Sequence, residues 1–539
     1  MEDCKKTIQA AIECHKKGDF INAEKFYLKF LNKNPAEAKA HHLLGGMNMQ
    51  AGNYQKALKS LETAYKLEKS LPIESDLALC YFELKNYNNA YQHFKKIAPK
   101  ANSRLIYEKI TKCTENLNLP LDKLKYQIKI LEFDKKNIPL LREITALAQD
   151  LGKFKIAEKY LNKLIKICPG DFIAWNNLGL VYEFTSRFDK AECAYRKAFE
   201  LKPNIDAAYN LSVLLKRMRR YDEAIEVINL AEQLEPENRK FEYTKSTLYL
   251  AQKDFKAGYK MYSDFLRTKQ AENIKIWWNG EENKTATLAI CATEGFGDII
   301  MFSRYLNLIN TANFKKVILI LPKTLYSLYK YNFPNFNIIE MGSTVEYNYA
   351  TTLIELPLLF NKDFEHIPEN SGYLKAEPEH IKKWERLFPH DKLNIGIFFR
   401  GNAGNKRTLH NRNVNFSLLK PILDVKGTRC FSLQPENQYS KEFTGQNITD
   451  LSDKISNFSD TAAIIKCLDI VITIDSSVAH LAGALGKKTT LILPWSADWR
   501  WFDDTKTTPW YNSIEIFRQK TEGDWPSVIN EIKNTLEKN

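Results

Sequence analysis

A strand that ends in an aspartate leads into a helix that carries a histidine in its first turn. The predicted strand spans 469–475 and ends at Asp475, and the helix opens with Ser476 and Ser477 and includes His480. The exposed amides and the dipole of such a helix start favour a phosphate, to which an imidazole could also donate. The serines also fit plain helix capping, and a lone helical histidine is usually structural. The spacing predicts a phosphate-bearing ligand at this strand end.

A loop with two glycines joins an earlier predicted strand to the helix that follows it. The predicted strand spans 287–292, and the loop after it contains Gly295, Gly297 and Asp298. The two glycines allow the backbone to turn tightly and to approach a ligand. Asp298 stands where the next helix begins, so it either caps that helix or acts as a general base at the carboxyl end of the strand, where ligands of α/β sheets bind.

The same unit lacks a complete dinucleotide fingerprint. Ile300 stands where the third glycine is required, and 321–323 offers no acid for a ribose hydroxyl. We therefore exclude a nicotinamide-dependent enzyme.

Polar and basic side chains follow two further predicted strands, at 394–399 and 428–433. These side chains are Arg400, Asn402, Lys406, Arg412 and Gln434. Guanidinium, ammonium and amide donors in a glycine-bearing loop suit an anion, although a solvated loop has the same composition. Gln434 either contacts a base or a sugar hydroxyl, or lies on the surface.

The first half of the chain repeats an aromatic, alanine and proline pattern with a period of about 34 residues. Three copies are Phe154, Ala157 and Pro169, then Phe188, Ala191 and Pro203, then Tyr221, Ala224 and Pro236. The copy over 175–203 closely resembles the tetratricopeptide consensus, in which small residues stand where two helices touch. We expect about eight units between residues 4 and 266, degenerate but helical over 101–140. Stacked pairs share a core and form a groove for a peptide or partner helix, and a spacer or dimerisation arm is the alternative.

The α/β part resembles glycosyltransferase family 9, the heptosyltransferase-like group. The motifs that carry the resemblance are 294–298 (Glu-Gly-Phe-Gly-Asp), 458–462, 475–486, 493–501, 509–511 and 517–519. The similarity covers about 276–539 and is closest to a subgroup in which tetratricopeptide repeats precede the transferase module. The resemblance implies a GT-B architecture, with two Rossmann-like lobes and metal-independent inverting transfer from a nucleotide-diphosphate sugar, without a cofactor.

The family's catalytic aspartate maps onto Asp298, and its donor motif maps onto Asp475, His480 and Leu481. Asp298 would then remove the acceptor proton. Arg400, Lys406, Arg412 and the helix start at Ser477 would stabilise the departing diphosphate.

The predicted organisation is a tetratricopeptide array over 1–270, a linker over 271–284, an N-terminal Rossmann-like lobe over 285–390 and a C-terminal donor-binding lobe over 391–539. The N-terminal lobe is short for a GT-B lobe. We therefore expect the last repeats to complete the acceptor side of the cleft, with 255–280 lining it.

Composition restricts the class of partner and the compartment. The net charge of +13 suits an anionic partner, namely a phosphorylated donor or an anionic membrane surface, or else reflects a merely basic surface. Nucleic acid is not expected, because no basic run has interleaved aromatics.

The nine cysteines form no CxxC pair, which argues against a metal site and a disulfide framework and fits a reducing cytoplasm. The first ten residues lack the apolar segment of a signal peptide, and no apolar stretch has the length of a membrane helix.

Two functional hypotheses follow. The first is a glycosyltransferase whose repeats hold a protein or glycan acceptor or a partner protein. The second is a repeat scaffold whose transferase module is degenerate and non-catalytic. The joint presence of Asp298, Asp475 and His480 favours the first hypothesis.

Overall fold

The computed structural model describes residues 2–236, 238–269, 274, 276–368, 372–401, 412–435, 439–503 and 505–538. The chain divides into two compact units, Met1–Lys202 and Pro203–Asn539. The predicted sites at Asn402 and Lys406 lie outside the described residues.

The first unit consists of twelve helices that follow one another in pairs. They are α1 Glu2–Lys16, α2 Phe20–Lys33, α3 Ala38–Gln50, α4 Tyr54–Leu67, α5 Leu71–Glu83, α6 Tyr87–Ala101, α7 Arg104–Asn116, α8 Pro120–Phe133, α9 Ile138–Asp150, α10 Phe154–Ile167, α11 Phe172–Phe184 and α12 Phe188–Leu201. The segment 101–140 is helical, as predicted. Small residues allow the paired helices to touch: a Cβ on Gly45 would lie 2.6 Å from Leu61, and one on Gly179 would lie 2.5 Å from Tyr195.

The second unit begins with four more helices of the same kind. They are α13 Ile205–Arg217, α14 Tyr221–Leu234, α15 Glu242–Ala251 and α16 Phe255–Lys269. The repeat helices therefore extend into the unit that holds both sheets.

Two parallel sheets follow. The first contains β1 Thr287–Cys291, β2 Lys316–Leu321, β3 Asn337–Glu340 and β4 Tyr349–Thr352, in the order β3-β2-β1-β4. The second contains β5 Leu393–Phe398, β6 Thr428–Ser432, β7 Ile448–Asp450, β8 Ile470–Ile474, β9 Thr489–Leu493 and β10 Ile514–Arg518, in the order β10-β9-β8-β5-β6-β7. The strands are apolar and buried because helices cover parallel sheets on both faces.

The helices of this part are mostly short. They are α17 Phe296–Phe302, α18 Tyr326–Asn332, α19 Leu356–Leu359, α20 Pro378–Trp384, α21 Lys420–Leu423, α22 Ser440–Phe443, α23 Phe458–Cys467, α24 Ser477–Ala484 and α25 Trp525–Leu536. The helix predicted to begin at Asp298 starts earlier, at Phe296, and gives way to a 3-10 turn at Ser303–Leu308. Because Gly295 is the residue that precedes α17, Asp298 lies inside the first turn and does not cap the helix.

Each sheet has one place where the strand order reverses. In the first sheet β1 lies between β2 and β4, and in the second sheet β5 lies between β6 and β8. Crossover connections leave on opposite faces at such a point, which opens a crevice beyond the carboxyl ends of the two strands. The fold thus offers two crevices, one after β1 and β4 and one after β5 and β8.

The last repeat helices pack against the sheets through a large aromatic cluster. Phe255 on α16 is 1% exposed, stacks on Trp510 with ring centroids 5.6 Å apart, and touches Trp499 edge-on. Tyr259, one turn later, is equally buried and contacts Phe302. The segment 255–280 was expected to line a cleft, but its residues Phe255 and Tyr259 belong to the core of the second unit.

Charged contacts reinforce this packing at two places. Arg217 and Arg219, at the end of α13, pair with Glu522 and Asp503. Arg267 on α16 donates to the buried carboxylate of Glu355 at 2.7 Å.

No helix among the described residues has the length and apolarity needed to cross a membrane. All nine cysteines are free.

Candidate functional site

A buried arginine joins the two sheets electrostatically. Arg500, in the 3-10 turn Trp499–Trp501 after β9, forms ion pairs with Asp298 from α17 and with its near neighbour Asp498. We call Asp298, Arg500 and Asp498 the charge network. It brings the predicted catalytic aspartate of the first sheet to the carboxyl edge of the second.

The two carboxyl groups of the charge network have pKa shifts in opposite directions. Burial raises the pKa of Asp298 and outweighs the opposing effect of the Arg500 guanidinium. Burial also acts to raise the pKa of Asp498, but Arg500 and Lys216 outweigh it, and the net shift is downward. Arg500 stays charged, because its two carboxylate partners more than offset its burial.

His480 lies in a closed aromatic setting beside the network. Its Nδ1 is 2.9 Å from the Tyr511 hydroxyl, and its ring stacks on Trp501 with centroids 5.0 Å apart. Burial, together with the charges of Arg500 and Arg304, lowers the pKa of His480 to about 3, so its imidazole is neutral. Any contact from His480 to a phosphate is therefore a hydrogen bond and not an ion pair.

The glycine loop reaches this histidine directly. A Cβ placed on Gly297 would lie 2.8 Å from His480 Cδ2, so only glycine permits the approach of α17 to α24. Gly295 is less restricted, since a Cβ there would lie 3.8 Å from an oxygen of Asp298. The structure thus brings together Gly297, Asp298 and His480, which the sequence had placed at two separate sites.

Asp475 lies at the carboxyl end of β8, where its side chain accepts a 2.8 Å hydrogen bond from the Trp501 indole. Burial raises the pKa of Asp475, and the charge of Asp498 adds to this effect. Ser476 caps α24 by accepting from the amide of Ala479, and Ser477 begins the helix half-buried. Leu481 is fully buried in the apolar core, where it packs and presents no polar group.

Two of the predicted basic residues lie at the crevice after β5. Arg400 is half-buried and lies over the Tyr439 ring, with its guanidinium carbon 5.2 Å from the ring centroid. The Arg412 guanidinium lies over Gly401, where a Cβ would be 3.0 Å from Nη2, and its charge acts on Asp475. Both arginines therefore lie at the reversal point of the second sheet.

Gln434 has a structural role at the same edge. Its side-chain oxygen accepts from the amides of Phe399 and Arg400, and its side-chain nitrogen donates to the carbonyl of Arg400. The residue is 3% exposed, so it is not on the surface. Gln434 fixes the path of the chain after β5, and both ends of its amide are used for this.

The repeat helices contribute polar groups to the charge network. Lys216 on α13 donates to Thr247 on α15 at 2.7 Å, and burial lowers the pKa of its ammonium group. Tyr243 and Tyr262 pack edge to face, with centroids 5.4 Å apart. Burial raises the pKa of both phenols, and each interacts electrostatically with Asp298 and Arg500. The repeats thus supply one wall of the site, although through α13 and α15 as well as the expected α16.

A second carboxyl group of the first sheet, that of Glu294, was not among the predicted site residues. Glu294 follows β1 and accepts a 3.3 Å hydrogen bond from the amide of Ile354, which follows β4. Burial raises the pKa of Glu294 to about 7, and the charge of Asp298 contributes to this rise. Its position directly before Gly295, at a strand end, was the signal that could have identified it. No cluster of His, Cys, Asp or Glu suited to a metal ion occurs among the described residues.

Comparison with known proteins supports the repeat half of the chain. A tetratricopeptide-repeat family model matches residues 38–70, 173–205 and 205–238. Protein FlbA of Caulobacter vibrioides is 22% identical over 578 residues, which cover 99% of this chain and 90% of that protein.

Two solved structures of repeat proteins are also similar. A tetratricopeptide repeat protein from Parabacteroides merdae is 19% identical, covers 44% of this chain and 94% of its own, and has a TM-score of 0.26. YrrB, described as a tetratricopeptide protein with an unusual peptide-binding site, is 18% identical, covers 33% and 92%, and has a TM-score of 0.24. In the structure, the repeat helices are followed by two parallel sheets in a mixed α/β region. The family-model matches establish that this chain contains tetratricopeptide repeats, which are features of a protein-interaction scaffold.

Proposed function

We propose that the second unit is a glycosyltransferase that moves a sugar from a nucleotide-diphosphate donor to an acceptor hydroxyl, with inversion and without a metal. The observation that carries the proposal is the charge network, which joins a carboxylate at the reversal point of the first sheet to the carboxyl edge of the second. The two parallel sheets would then be the two Rossmann-like lobes of a GT-B architecture. The resemblance of the motifs at 294–298 and 475–486 to glycosyltransferase family 9 supports this proposal.

The donor diphosphate would lie in the crevice after β5 and β8. The helix α24 begins at this crevice, and helix starts of this kind bind phosphate. Arg412 and Arg400 border the same crevice and can donate charge-assisted hydrogen bonds. As the bond to the sugar breaks, these cations would stabilise the charge that develops on the leaving diphosphate.

The acceptor would approach from the side of the repeat helices. Tyr243, Tyr262 and Lys216 interact electrostatically with the charge network there, and Tyr243 exposes part of its ring. A protein or a glycan could supply the hydroxyl. We further propose that the repeats of the first unit hold a peptide or protein partner in their groove, as such arrays commonly do.

A non-catalytic scaffold is the second candidate, and one observation favours it. Asp298 is held in an ion pair, and His480 is bonded to Tyr511 and packed on Trp501. A module that had lost its reaction could keep these contacts for stability alone. Donor binding separates the two candidates, because a purely structural network requires no donor.

The test is a thermal-shift screen of the full chain, followed by an assay of transfer. We expect one of UDP-glucose, UDP-N-acetylglucosamine, GDP-mannose and ADP-glucose to raise the melting temperature, since a ligand at 100 times its Kd stabilises by about 2.7 kcal/mol. Replacing Asp298 with alanine should leave that shift nearly intact and strongly slow release of the nucleoside diphosphate. CMP-sialic acid, which lacks the diphosphate, is the control ligand. Equal release by the variant and the wild type would contradict the proposed role of the network.

A further inference from the structure

Glu294 lies at the reversal point of the first sheet. It lies in the loop after β1, and its Oε1 accepts from the Ile354 amide in the turn after β4, so it bridges the two chain segments that border the crevice. Ligands of doubly wound sheets bind at such a crevice. The first sheet thus carries a carboxyl group beside its reversal point, as the second sheet does with Asp475 after β8.

The second oxygen of Glu294 forms no hydrogen bond of good geometry. Among the described residues Oε2 is buried without such a partner, while the backbone amides of Thr293 and Glu294 act on the carboxyl group to lower its pKa. Buried polar atoms are rarely left without a partner, and an exception usually marks a function or a bound molecule. A carboxyl group with one anchored oxygen and one unpaired oxygen is oriented to exchange a proton.

Asp298 is less suited to that task. It is paired with Arg500, which is itself buried and also held by Asp498. Although burial keeps the net pKa shift of Asp298 upward, its carboxylate is occupied by the guanidinium, and protonation would break this ion pair. Asp298 is better placed to hold Arg500 than to accept a proton.

We infer that Glu294, and not Asp298, accepts the proton of the acceptor hydroxyl, an assignment that rests on the proposed function. In this step the acceptor oxygen attacks the anomeric carbon while its proton moves to Glu294 Oε2. The bond between the anomeric carbon and the diphosphate oxygen breaks, and its electron pair leaves with the diphosphate. Glu294 then returns the proton to solvent. Asp298 is a positioning residue, which acts through Arg500.

The groups around Glu294 make its protonation depend on pH near neutrality. Asp298 faces it from α17, Tyr262 from α16 and Cys291 from β1, and each interacts with it electrostatically. A base is most effective when its pKa lies near the working pH, and burial raises the pKa of Glu294 to about 7. The reaction rate should therefore fall as the pH drops below about 7.

The experiment measures release of nucleoside diphosphate by the full chain from the four donors named above, with water as acceptor, between pH 5 and pH 9. Glu294→Gln is expected to slow release by at least about 100-fold and to remove the acidic limb of the profile. Asp298→Asn should also slow release, but it should keep the limb and move it to lower pH, because the Asp298 charge raises the pKa of Glu294. Exposed Glu281→Gln is the matched control and should match the wild type.

If the acidic limb of the pH profile persists in Glu294→Gln and disappears in Asp298→Asn, the assignment is overturned and Asp298 is the base. If no donor binds or is turned over, the proposed function fails and the catalytic role fails with it.

The protonation of Glu294 is tested separately by melting temperature, without a donor. The folded-state pKa of Glu294 is raised, so its contribution to stability is present below pH 4.5 and is lost as the pH rises through about 7. Glu294→Gln should therefore melt like the wild type at pH 5 and above it at pH 8, and equal melting at both pH values would overturn the inference.

Discussion

Replacing Arg500 with methionine is expected to destabilise the second unit by about 3–5 kcal/mol at neutral pH. The methionine side chain fills a similar volume, so the main loss is the cation between Asp298 and Asp498. Two partly buried carboxylates then face each other without compensation. Eight of the nine tryptophans follow Pro203, so the unfolding of this unit can be followed by tryptophan fluorescence in urea.

The pH dependence of this variant provides a second readout. Without Arg500, the already raised pKa of Asp298 rises further and the pKa of Asp498 loses the main charge that lowers it, so protonation relieves the repulsion. The stability of Arg500→Met relative to the wild type should therefore improve as the pH falls from 8 to 5. Adding Asp298→Asn should restore part of the loss at pH 8.

The matched control is Arg429→Met, which removes an exposed ion pair with Asp391. Exposed pairs contribute about 0–1 kcal/mol, so this variant should unfold close to the wild type. If Arg500→Met costs no more than Arg429→Met, the charge network is not a buried structural element and our description of the site is wrong.

Fragments that begin at residue 203 and at residue 285 are expected to behave very differently. The fragment 203–539 keeps α13–α16 and should be soluble and unfold cooperatively. The fragment 285–539 lacks α16, whose Phe255 packs on Trp510 and Trp499. Loss of a buried phenylalanine alone costs about 3–5 kcal/mol, and a whole helix exceeds the usual stability of 5–15 kcal/mol.

Removal of the repeats also breaks the ion pair between Arg267 and Glu355 and leaves the Glu355 carboxylate unpaired and buried. Size-exclusion chromatography and tryptophan fluorescence of the two fragments check the prediction, with the full chain as reference. A fragment 285–539 that unfolds at the same urea concentration as 203–539 would show that the repeats are not part of this fold.

Local patterns predicted most of the secondary structure. The repeat of aromatic, alanine and proline residues located the paired helices, because a helix pair fixes these residue types within a short stretch of chain. The strand expected over 469–475 is β8, Ile470–Ile474, and the serines after it do begin a helix. These features depend on neighbours in sequence, which a single sequence displays directly.

The chemistry of the site was harder to predict because it depends on distant residues. Arg500 lay in a recognised motif, but its pairing with Asp298 spans two sheets. His480 was assigned to a ligand on its spacing from Asp475, whereas its partners Tyr511 and Trp501 come from later loops. Lys216 reaches the network from a repeat helix, and no local pattern marks it. The raised pKa of Glu294 likewise arises from burial, which only the fold reveals.

The most direct test of the central claim is the affinity of a nucleotide-diphosphate sugar for the full chain, measured by titration calorimetry. We expect one of the four donors to bind and Arg412→Met to weaken its binding at least tenfold, because a hydrogen bond to a charged group contributes about 1.5–3 kcal/mol. Arg429→Met, on the exposed side of β6, should bind like the wild type. Absence of binding by every donor, or equal affinity in Arg412→Met, would contradict the donor site after β5 and β8.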